Sequence, residues 1–223
     1  MRKSLAFGLR EGRVDRRFAH ESSGLAAVEF ALILPLMITM YLGCAELSQG
    51  LEVTRKATIV ASSLADLISE QSSGVTLTNT VATDAFAAAS AIISPYPTST
   101  LKMTLSSVEF VTNAHSSTGF DAKVRWTTAY NGGTPRPCQI MTPVANSATP
   151  TPTTIPTGIY PSSGSAAATA IVADATYIYT PTFGGSVLAW SSSATSITFN
   201  HSAYMRPRNE YSVAYSGTNC AAY

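Results

Sequence analysis

The residues whose types and spacing could support chemistry lie near the start of the chain, in the stretch RRFAHESSGLAAVEF over residues 16–30. Gly24 precedes a long apolar run, and Glu29 lies inside that run, five residues after the glycine. An ionised carboxylate inside a bilayer costs roughly 3 kcal/mol unless a partner compensates it. If the chain is cut after Gly24, Leu25 gains a charged α-amine one helical turn from Glu29. That pair would neutralise the carboxylate; the alternative is that Glu29 lies among lipid headgroups and only marks where the span begins.

The apolar run itself predicts a membrane-spanning helix over residues 25–45, LAAVEFALILPLMITMYLGCA. As a helix it would be about 31 Å long, enough to cross the hydrocarbon core of a bilayer. Pro35 would cost about 3 kcal/mol in a soluble helix, but membrane helices tolerate it.

The charges on the N-terminal arm predict which end of the span stays in the cytoplasm. Residues 1–24 carry six basic side chains against three acidic ones, while the rest of the chain is slightly acidic and the net charge is +1. Because the arm abuts the apolar run, retention on the cytoplasmic face is favoured over nucleic-acid binding. The charged residues of the arm are Arg2, Lys3, Arg10, Arg13, Arg16 and Arg17 against Glu11, Asp15 and Glu21.

Composition excludes a charge-rich disordered chain, because 12% of residues are charged and 45% are hydrophobic. The three cysteines offer no CxxC and no paired spacing for zinc. Cys44 lies in the apolar run, where a lone thiol behaves as a small hydrophobe. Cys138 and Cys220 lie in the part expected outside the cytoplasm, where they form either one disulfide or two buried thiols. A disulfide across roughly 80 residues would contribute about 4 kcal/mol in the chain-entropy model.

Enzyme signatures such as GxSxG, HExxH, the P-loop and GxGxxG are missing, and each histidine lies apart from cysteine or carboxylate clusters. We therefore expect no catalysis, no cofactor and no metal site. Five tyrosines could form a sugar-binding strip, although alternating tyrosines more often reflect cross-strand packing. These are Tyr177, Tyr179, Tyr204, Tyr211 and Tyr215.

Hydrophobic periodicity predicts that the helix continues beyond the membrane as an amphipathic stalk to about residue 69, where residues 71–74 break it. A shorter second helix is predicted over residues 78–93, before Pro95 and Pro97. The apolar face predicted for the stalk consists of Leu47, Leu51, Thr54, Thr58, Ala61, Leu64 and Ile68.

The second half of the chain predicts β-structure. Strands are expected over residues 101–111, 120–130, 173–181 and 196–207, with a long, partly extended Pro/Thr-rich loop over residues 131–161. The expected fold class is α+β, with a long transmembrane helix, a short second helix and a small antiparallel sheet. The predicted divisions are residues 1–24 as arm, 25–47 as span, 48–70 as stalk, 71–97 as short helix and linker, and 98–223 as a β-rich extracytoplasmic domain.

At the N-terminus the sequence resembles a known family. Gly24 followed by LAAVEF looks like the site cut by a prepilin peptidase, between Gly24 and Leu25, with Glu29 and Phe30 following it. More specifically, residues 23–67 are similar to the TadE-like proteins of tight-adherence pilus systems. Two later segments resemble the closing strands of that family, Tyr177-Ile-Tyr-Thr-Pro181 and the strand ending Tyr204-Met-Arg-Pro207, whereas the loop over residues 131–161 looks like an insertion.

The resemblance implies a pilin-like architecture and a structural role as a pseudopilin or minor pilus-assembly component. It implies a single-pass protein of the bacterial inner membrane, with its C-terminal domain in the periplasm or outside the cell. The implied partners are the prepilin peptidase, other pseudopilins and the Tad secretion components, without nucleic acid. It implies cleavage after Gly24, with Glu29 and Phe30 serving assembly.

Two rival interpretations concern processing. Tyr41-Leu-Gly-Cys44 is similar to a lipoprotein box, and ordinary signal-peptide removal near Ala45 would separate the span from the stalk. A rival function is an unprocessed, membrane-anchored periplasmic binding module, for example for envelope glycans, with no pilus role. This rival differs from the pilin interpretation at Gly24, because only the pilin interpretation needs the free amine of Leu25.

Overall fold

The computed structural model describes residues 22–72, 74–145, 151–162, 168–182, 196–208 and 211–220. The basic arm up to residue 21 and the centre of the Pro/Thr-rich loop, residues 146–150, lie outside the described residues. The chain divides into two compact units, Met1–Glu46 and Leu47–Tyr223.

Two α-helices open the described chain. Helix α1 covers Ser22–Ser69, including Pro35, and helix α2 covers Asn79–Ala91. Between them Gly74 adopts a left-handed backbone with φ of 77°, which suits a residue without Cβ. Thr78 caps α2, because its hydroxyl oxygen accepts the Val81 N–H at 3.3 Å. Both helices were predicted, and α1 ends at the predicted residue.

Six strands form one sheet in the order β4-β3-β2-β1-β5-β6, so that β1 lies at its centre. An α+β fold with a long N-terminal helix and a short second helix is confirmed. Four of the strands, β1, β2, β5 and β6, correspond to the predicted segments. The strands are β1 Leu101–Thr112, β2 Phe120–Tyr130, β3 Ile140–Val144, β4 Thr154–Pro156, β5 Ala168–Tyr179 and β6 Ile197–Met205.

The expectation of a purely antiparallel sheet is wrong, because β3 and β4 pair in parallel. Both strands lie inside the segment predicted as a loop. Pro143 and Pro156 cannot donate to a strand ladder, so they confine this pairing to short strands at the edge of the sheet. The Thr142 N–H donates to the Thr153 carbonyl at 2.9 Å, which ties the start of β4 to β3.

Helices α1 and α2 contribute to the main core together with one face of the sheet. Val53, Val60 and Leu64 of α1 are fully buried in this cluster, as is Leu105 of β1. Phe86 of α2 joins them and stacks on Tyr130, with ring centroids 5.6 Å apart. Burial of each large apolar side chain contributes roughly 2 kcal/mol, so this face gives the stalk its stability.

A second core covers the opposite face of the sheet. Val108, Phe110 and Val172 lie in it, together with Ile155 of β4. The Tyr160 ring, in the segment after β4, packs on Phe110 with ring centroids 5.0 Å apart. The edge strands therefore cover a sheet face that would otherwise be exposed, and β1 is buried on both faces.

The turn after β2 brings two backbones into close contact. Asn131 and Gly132 have positive φ values of 52° and 70°, and the Asn131 amide donates to the carbonyl of Leu101 at 2.8 Å. A Cβ built on the following residue, Gly133, would lie 2.7 Å from the Thr104 hydroxyl and closer still to the Met103 carbonyl. Only glycine fits this position without displacing β1.

Candidate assembly helix and processing site

The first part of α1 exposes apolar side chains on every side. Leu25, Leu32 and Tyr41 are more than 70% exposed, and Leu36 and Met40 more than 60%. Among the described residues, α1 is the one helix long and apolar enough to cross a membrane, and none of its most apolar stretch is buried. A surface of this kind is stable in lipid or against other apolar helices, but not in water.

The Gly24–Leu25 peptide bond lies in the first turn of α1, which begins at Ser22. A Cβ built on Gly24 would meet nothing within 4 Å, and Gly24 and Leu25 are both exposed. The bond is therefore accessible from outside.

Glu29 lies four residues after Leu25, so the two residues share one face of the helix, about 6 Å apart along its axis. The Glu29 side chain is exposed, and within the described residues its carboxylate forms no ion pair. Phe30 is exposed as well, at 59%. The folded chain buries neither side chain, so Glu29 and Phe30 both remain available to a partner.

The second part of α1 buries one face, although not quite the predicted one. Leu47 and Leu51 were predicted on the buried face but are 66% and 56% exposed, and Thr58 is exposed too. Val53 and Ala57 are fully buried instead. The prediction is right in the last part of the helix, where Ala61, Leu64 and Ile68 are buried, and wrong for Leu47 and Leu51.

Polar contacts hold the second part of α1 to the rest of its unit. Lys56 forms an ion pair with Glu52 at 3.1 Å, and the Tyr96 hydroxyl donates to Glu52 at 2.9 Å. Hydrogen bonds lower the pKa of Glu52, and the bond from Lys56 has a larger effect than the bond from Tyr96. The pKa of Tyr96 is raised to about 12, mainly by burial and secondly by its hydrogen bond to Glu52. Near the end of α1, Arg208 forms ion pairs with Asp66 and Glu70.

The structure joins Cys138 and Cys220 in a disulfide, with the Cα atoms 5.4 Å apart and the two residues separated by 82 positions in sequence. It attaches the segment after β2 to the C-terminal segment. Cys44, in the apolar part of α1, is exposed and has a free thiol.

The five tyrosines do not form a surface strip. Tyr177, Tyr179 and Tyr215 are buried in the main core, Tyr204 is partly buried against the second core, and Tyr211 is half exposed. Tyr177 donates to the Pro97 carbonyl at 3.2 Å, which is a packing role. The alternating spacing of these tyrosines therefore reflects packing in and around the sheet.

A buried arginine is a residue that the sequence analysis missed. The Arg136 side chain is 1% exposed and forms a two-point contact with the Asp174 carboxylate, through Nε at 2.8 Å and Nη2 at 2.7 Å. Nη1 donates to the carbonyls of Thr151 and Thr154 at 3.3 and 3.1 Å. Burial alone would lower the pKa of Arg136, but its contacts with Asp174 raise it overall. Arg136 thus ties the Pro/Thr-rich segment to β5.

Metal ligands do not come together in the part of the chain that the structure describes, where no group of three His, Cys, Asp or Glu side chains could hold an ion. His115 lies in the loop between β1 and β2, and His201 lies on β6.

Comparison with known proteins places the similarity in α1. Residues 24–66 match the family model described as TadE-like protein. The match begins at Gly24, includes Glu29 and Phe30, and ends three residues before the end of α1. Neither a curated protein nor a solved structure matches the chain.

Proposed function

We propose, from the match of residues 24–66 to the TadE-like family, that this chain is a membrane-anchored structural component of a tight-adherence pilus system. In this role it acts as a pseudopilin or minor pilus-assembly protein and catalyses no reaction. The prepilin peptidase, other pseudopilins and the Tad secretion components are its partners. The observation that carries the proposal is α1, in which a fully exposed apolar part and a part packed on a sheet belong to one helix.

The proposed topology places the N-terminus in the cytoplasm and the residues after about 47 outside it. The excess of basic residues before the span supports this orientation, because such residues are retained on the cytoplasmic side. The Cys138–Cys220 disulfide also supports an oxidising compartment for the second unit. In a Gram-negative cell the anchor would then lie in the inner membrane and the β-rich unit in the periplasm.

Fusions at residue 75 test the topology. A phosphatase fused there should be active and a fluorescent protein that folds only in the cytoplasm should be dark. The reverse pattern would refute the orientation.

The proposed processing is cleavage between Gly24 and Leu25, after which the new α-amine neutralises Glu29 in the same or a neighbouring subunit. This pairing stabilises the carboxylate, because a charge in an apolar surrounding is costly without a partner. N-terminal sequencing of membrane-extracted protein should find a chain that starts at Leu25. A start at Met1, Glu46 or Cys44 in cells with an active prepilin peptidase would refute the pilin role, and a start at Met1 would favour the anchored binding module.

Two glycine variants separate recognition by the peptidase from helix packing. A Cβ at Gly24 or at Gly43 would meet no atom within 4 Å, so we expect valine at either position to leave the fold of the chain unchanged. Gly24→Val should block cleavage, because the peptidase must approach the backbone there, whereas Gly43→Val should be cleaved normally. Equal cleavage of both variants would contradict the proposed site.

The Glu29→Gln variant tests assembly apart from cleavage. Removing the charge should leave insertion and cleavage after Gly24 intact, since a neutral side chain enters the bilayer more easily. Incorporation into pilus-related complexes, measured by co-purification with other pseudopilins, should fall. Unchanged incorporation would show that Glu29 only marks the edge of the span.

A further inference from the structure

A cleft of about 400 Å³ lies between the sheet and the C-terminal segment over residues 211–220. Its volume falls within the range of small-molecule sites, roughly 300–1,000 Å³. The lining residues that matter here are Ser107 and Glu109 of β1, Arg125 and Trp126 of β2, and Tyr215 and Asn219. All of them belong to the second unit.

A β-bulge places the charged residues of the cleft. Ser107 pairs with Trp126 and Val108 pairs with Val124, so Arg125 is the extra residue of β2. Bulges redirect side chains and are frequent beside functional sites. The Arg125 guanidinium forms an ion pair with Glu109 through Nε and Nη2, both on the Oε2 atom. Because the two charges compensate each other, the cleft carries no net charge from this pair.

Ser107 supplies a hydroxyl that the fold does not use. The residue is 1% exposed, and its Oγ atom has no hydrogen-bond partner. A buried polar atom without a partner destabilises the folded state. Other such hydroxyls occur in the described chain, at Thr100, Thr169 and Tyr204, but of these residues Ser107 is the one that lines this cleft.

The outer wall of the cleft is fixed by hydrogen bonds. The Trp126 indole N–H donates to the Val213 carbonyl at 2.7 Å, and the Leu77 N–H donates to the Ala214 carbonyl at 2.8 Å. The Cys220 N–H donates to the Arg125 carbonyl at 2.7 Å, next to the disulfide. Because these contacts hold the wall in place, the cleft is formed before any ligand arrives.

We propose that this cleft binds a neutral saccharide unit. The ligand hydroxyls would donate to Glu109, accept from Arg125 and satisfy Ser107 at the floor of the cleft. Sugar hydroxyls both donate and accept, so one ring can contact a carboxylate and a guanidinium that remain paired with each other.

A zwitterionic ligand such as a peptide terminus fits the same residues less well. Its ammonium would compete with Arg125 for Glu109, and its carboxylate would compete with Glu109 for Arg125. It would therefore have to separate an ion pair that the fold has already formed. The inference does not depend on the proposed pilus role, because it rests on the second unit alone.

The binding test uses the full chain in a detergent without sugar groups, since alkyl maltosides would compete. The probes are methyl glycosides of glucose, galactose, mannose and N-acetylglucosamine, measured by saturation-transfer NMR, with glycylglycine as the zwitterionic comparison. We expect at least one glycoside to bind and glycylglycine not to bind. Absence of binding by every glycoside, or binding of glycylglycine alone, would overturn the inference.

Two adjacent serines provide matched variants. Ser107→Ala removes the unpartnered hydroxyl, so it should weaken glycoside binding about tenfold while thermal stability stays equal or rises. Ser106→Ala removes a hydroxyl that is 2.9 Å from Thr127 Oγ1 outside the cleft, so it should lower stability and leave binding unchanged. Equal binding by wild type and Ser107→Ala would overturn the inference.

A third variant keeps the test informative if Ser107→Ala is poorly folded. Glu109→Gln keeps the shape of the side chain and should weaken glycoside binding about tenfold. The control is Asp84→Asn, at an exposed position of α2. If Glu109→Gln and Asp84→Asn bind the glycoside as wild type does, the saccharide assignment is wrong.

Discussion

The two parts of α1 differ in where their stabilising contacts come from. Over residues 24–46 every side chain is exposed or half exposed, including bulky ones such as Phe30 and Leu36. Over residues 47–69 the same helix buries seven side chains in the main core. These are Val53, Ala57, Val60, Ala61, Leu64, Ala65 and Ile68.

Contacts within the chain stabilise the second part of α1, whereas the first part must be stabilised by its surroundings. Residues after 47 lose apolar surface to the sheet, so substitutions there should change the free energy of unfolding. Residues before 47 lose apolar surface only to lipid or to another helix. Substitutions there should change insertion or assembly and leave the unfolding of the second unit unchanged.

The largest expected effect comes from the disulfide. Replacing Cys138 and Cys220 together by serine should lower the free energy of unfolding by about 4 kcal/mol. Without the disulfide, no covalent loop restricts the unfolded chain, so its conformational entropy rises. Denaturant unfolding followed by tryptophan fluorescence measures it. The control Cys44→Ser, in the exposed part of α1, should change nothing.

Mass spectrometry of non-reduced protein from intact cells checks the premise of that prediction. It should find the peptides of Cys138 and Cys220 cross-linked. Two thiols that react with an alkylating reagent in the native protein would contradict it.

A matched pair of leucines tests the comparison directly. Leu64→Ala removes a side chain that is 0% exposed and should lower the free energy of unfolding by about 3 kcal/mol through a cavity. Leu36→Ala, 62% exposed, should leave unfolding of the second unit unchanged. The measurement is thermal unfolding of the full chain in detergent. Equal losses in both variants would remove the distinction between the two parts of α1.

Alanine at two glycines should change the free energy of unfolding by smaller amounts and in opposite directions. Gly133→Ala should lower the free energy of unfolding by about 2 kcal/mol, because its Cβ would collide with the backbone of β1. Gly50→Ala in α1 should raise it by about 0.5 kcal/mol, since its Cβ is 4.0 Å from the nearest atom, in Tyr179, and alanine favours helix. Denaturant unfolding of both variants checks the signs. A stabilising Gly133→Ala would contradict the close contact.

The smallest expected effect is a pH dependence from His201 on β6. Thr58 donates to the Thr54 carbonyl at 3.0 Å, so its oxygen accepts the His201 Nδ1–H at 3.2 Å and Nε2 is left buried without a partner. Burial lowers the pKa of His201 below its ordinary value of 6.5. Below pH 6.5 the unfolded chain therefore takes up a proton before the folded chain does, and stability falls as pH falls toward the folded-state pKa.

Comparison with His201→Gln isolates this contribution. Wild type should lose more stability than the variant between pH 7 and pH 5, measured by thermal unfolding in steps of about half a pH unit. Parallel curves for the two proteins would show that His201 titrates in the fold as it does in the unfolded chain.

The sequence predicts the long elements well because their patterns are local. The end of α1 at Ser69 follows from the polar residues and glycine of the segment 71–74, and β1 and β2 follow from runs of β-branched and apolar residues. The short strands β3 and β4 escaped prediction, because seven prolines between residues 131 and 161 indicate a loop. Arg136 holds the start of β4 through the Thr154 carbonyl, and its partner Asp174 is 38 positions away, beyond the reach of a local pattern.

The face of α1 that packs on the sheet was predicted for Ala61, Leu64 and Ile68 but not for the preceding turns. Leu47 and Leu51 have the spacing of buried residues, and only contact with the sheet shows that Val53 and Ala57 are covered instead. The cleft was not predictable either, because it depends on a bulge at Arg125 and on a C-terminal segment about 90 residues later. By contrast, Gly24 and Glu29 were identifiable as candidates, since their spacing lies within one local segment.

The Cys138–Cys220 disulfide would limit the extension of the second unit if the proposed pilus role places the chain under tension. Strands β3 to β6 all lie between the two cysteines, whereas β1 and β2 precede them. Tension that enters through α1 and leaves beyond residue 220 would pass across the sulfur atoms and bypass those four strands. At about 3.5 Å for each extended residue, roughly 280 Å of chain would stay stored in the intact loop. Only the chain before Cys138, with α1, α2, β1 and β2, could then lengthen under force, so the oxidised unit would extend less than the reduced one.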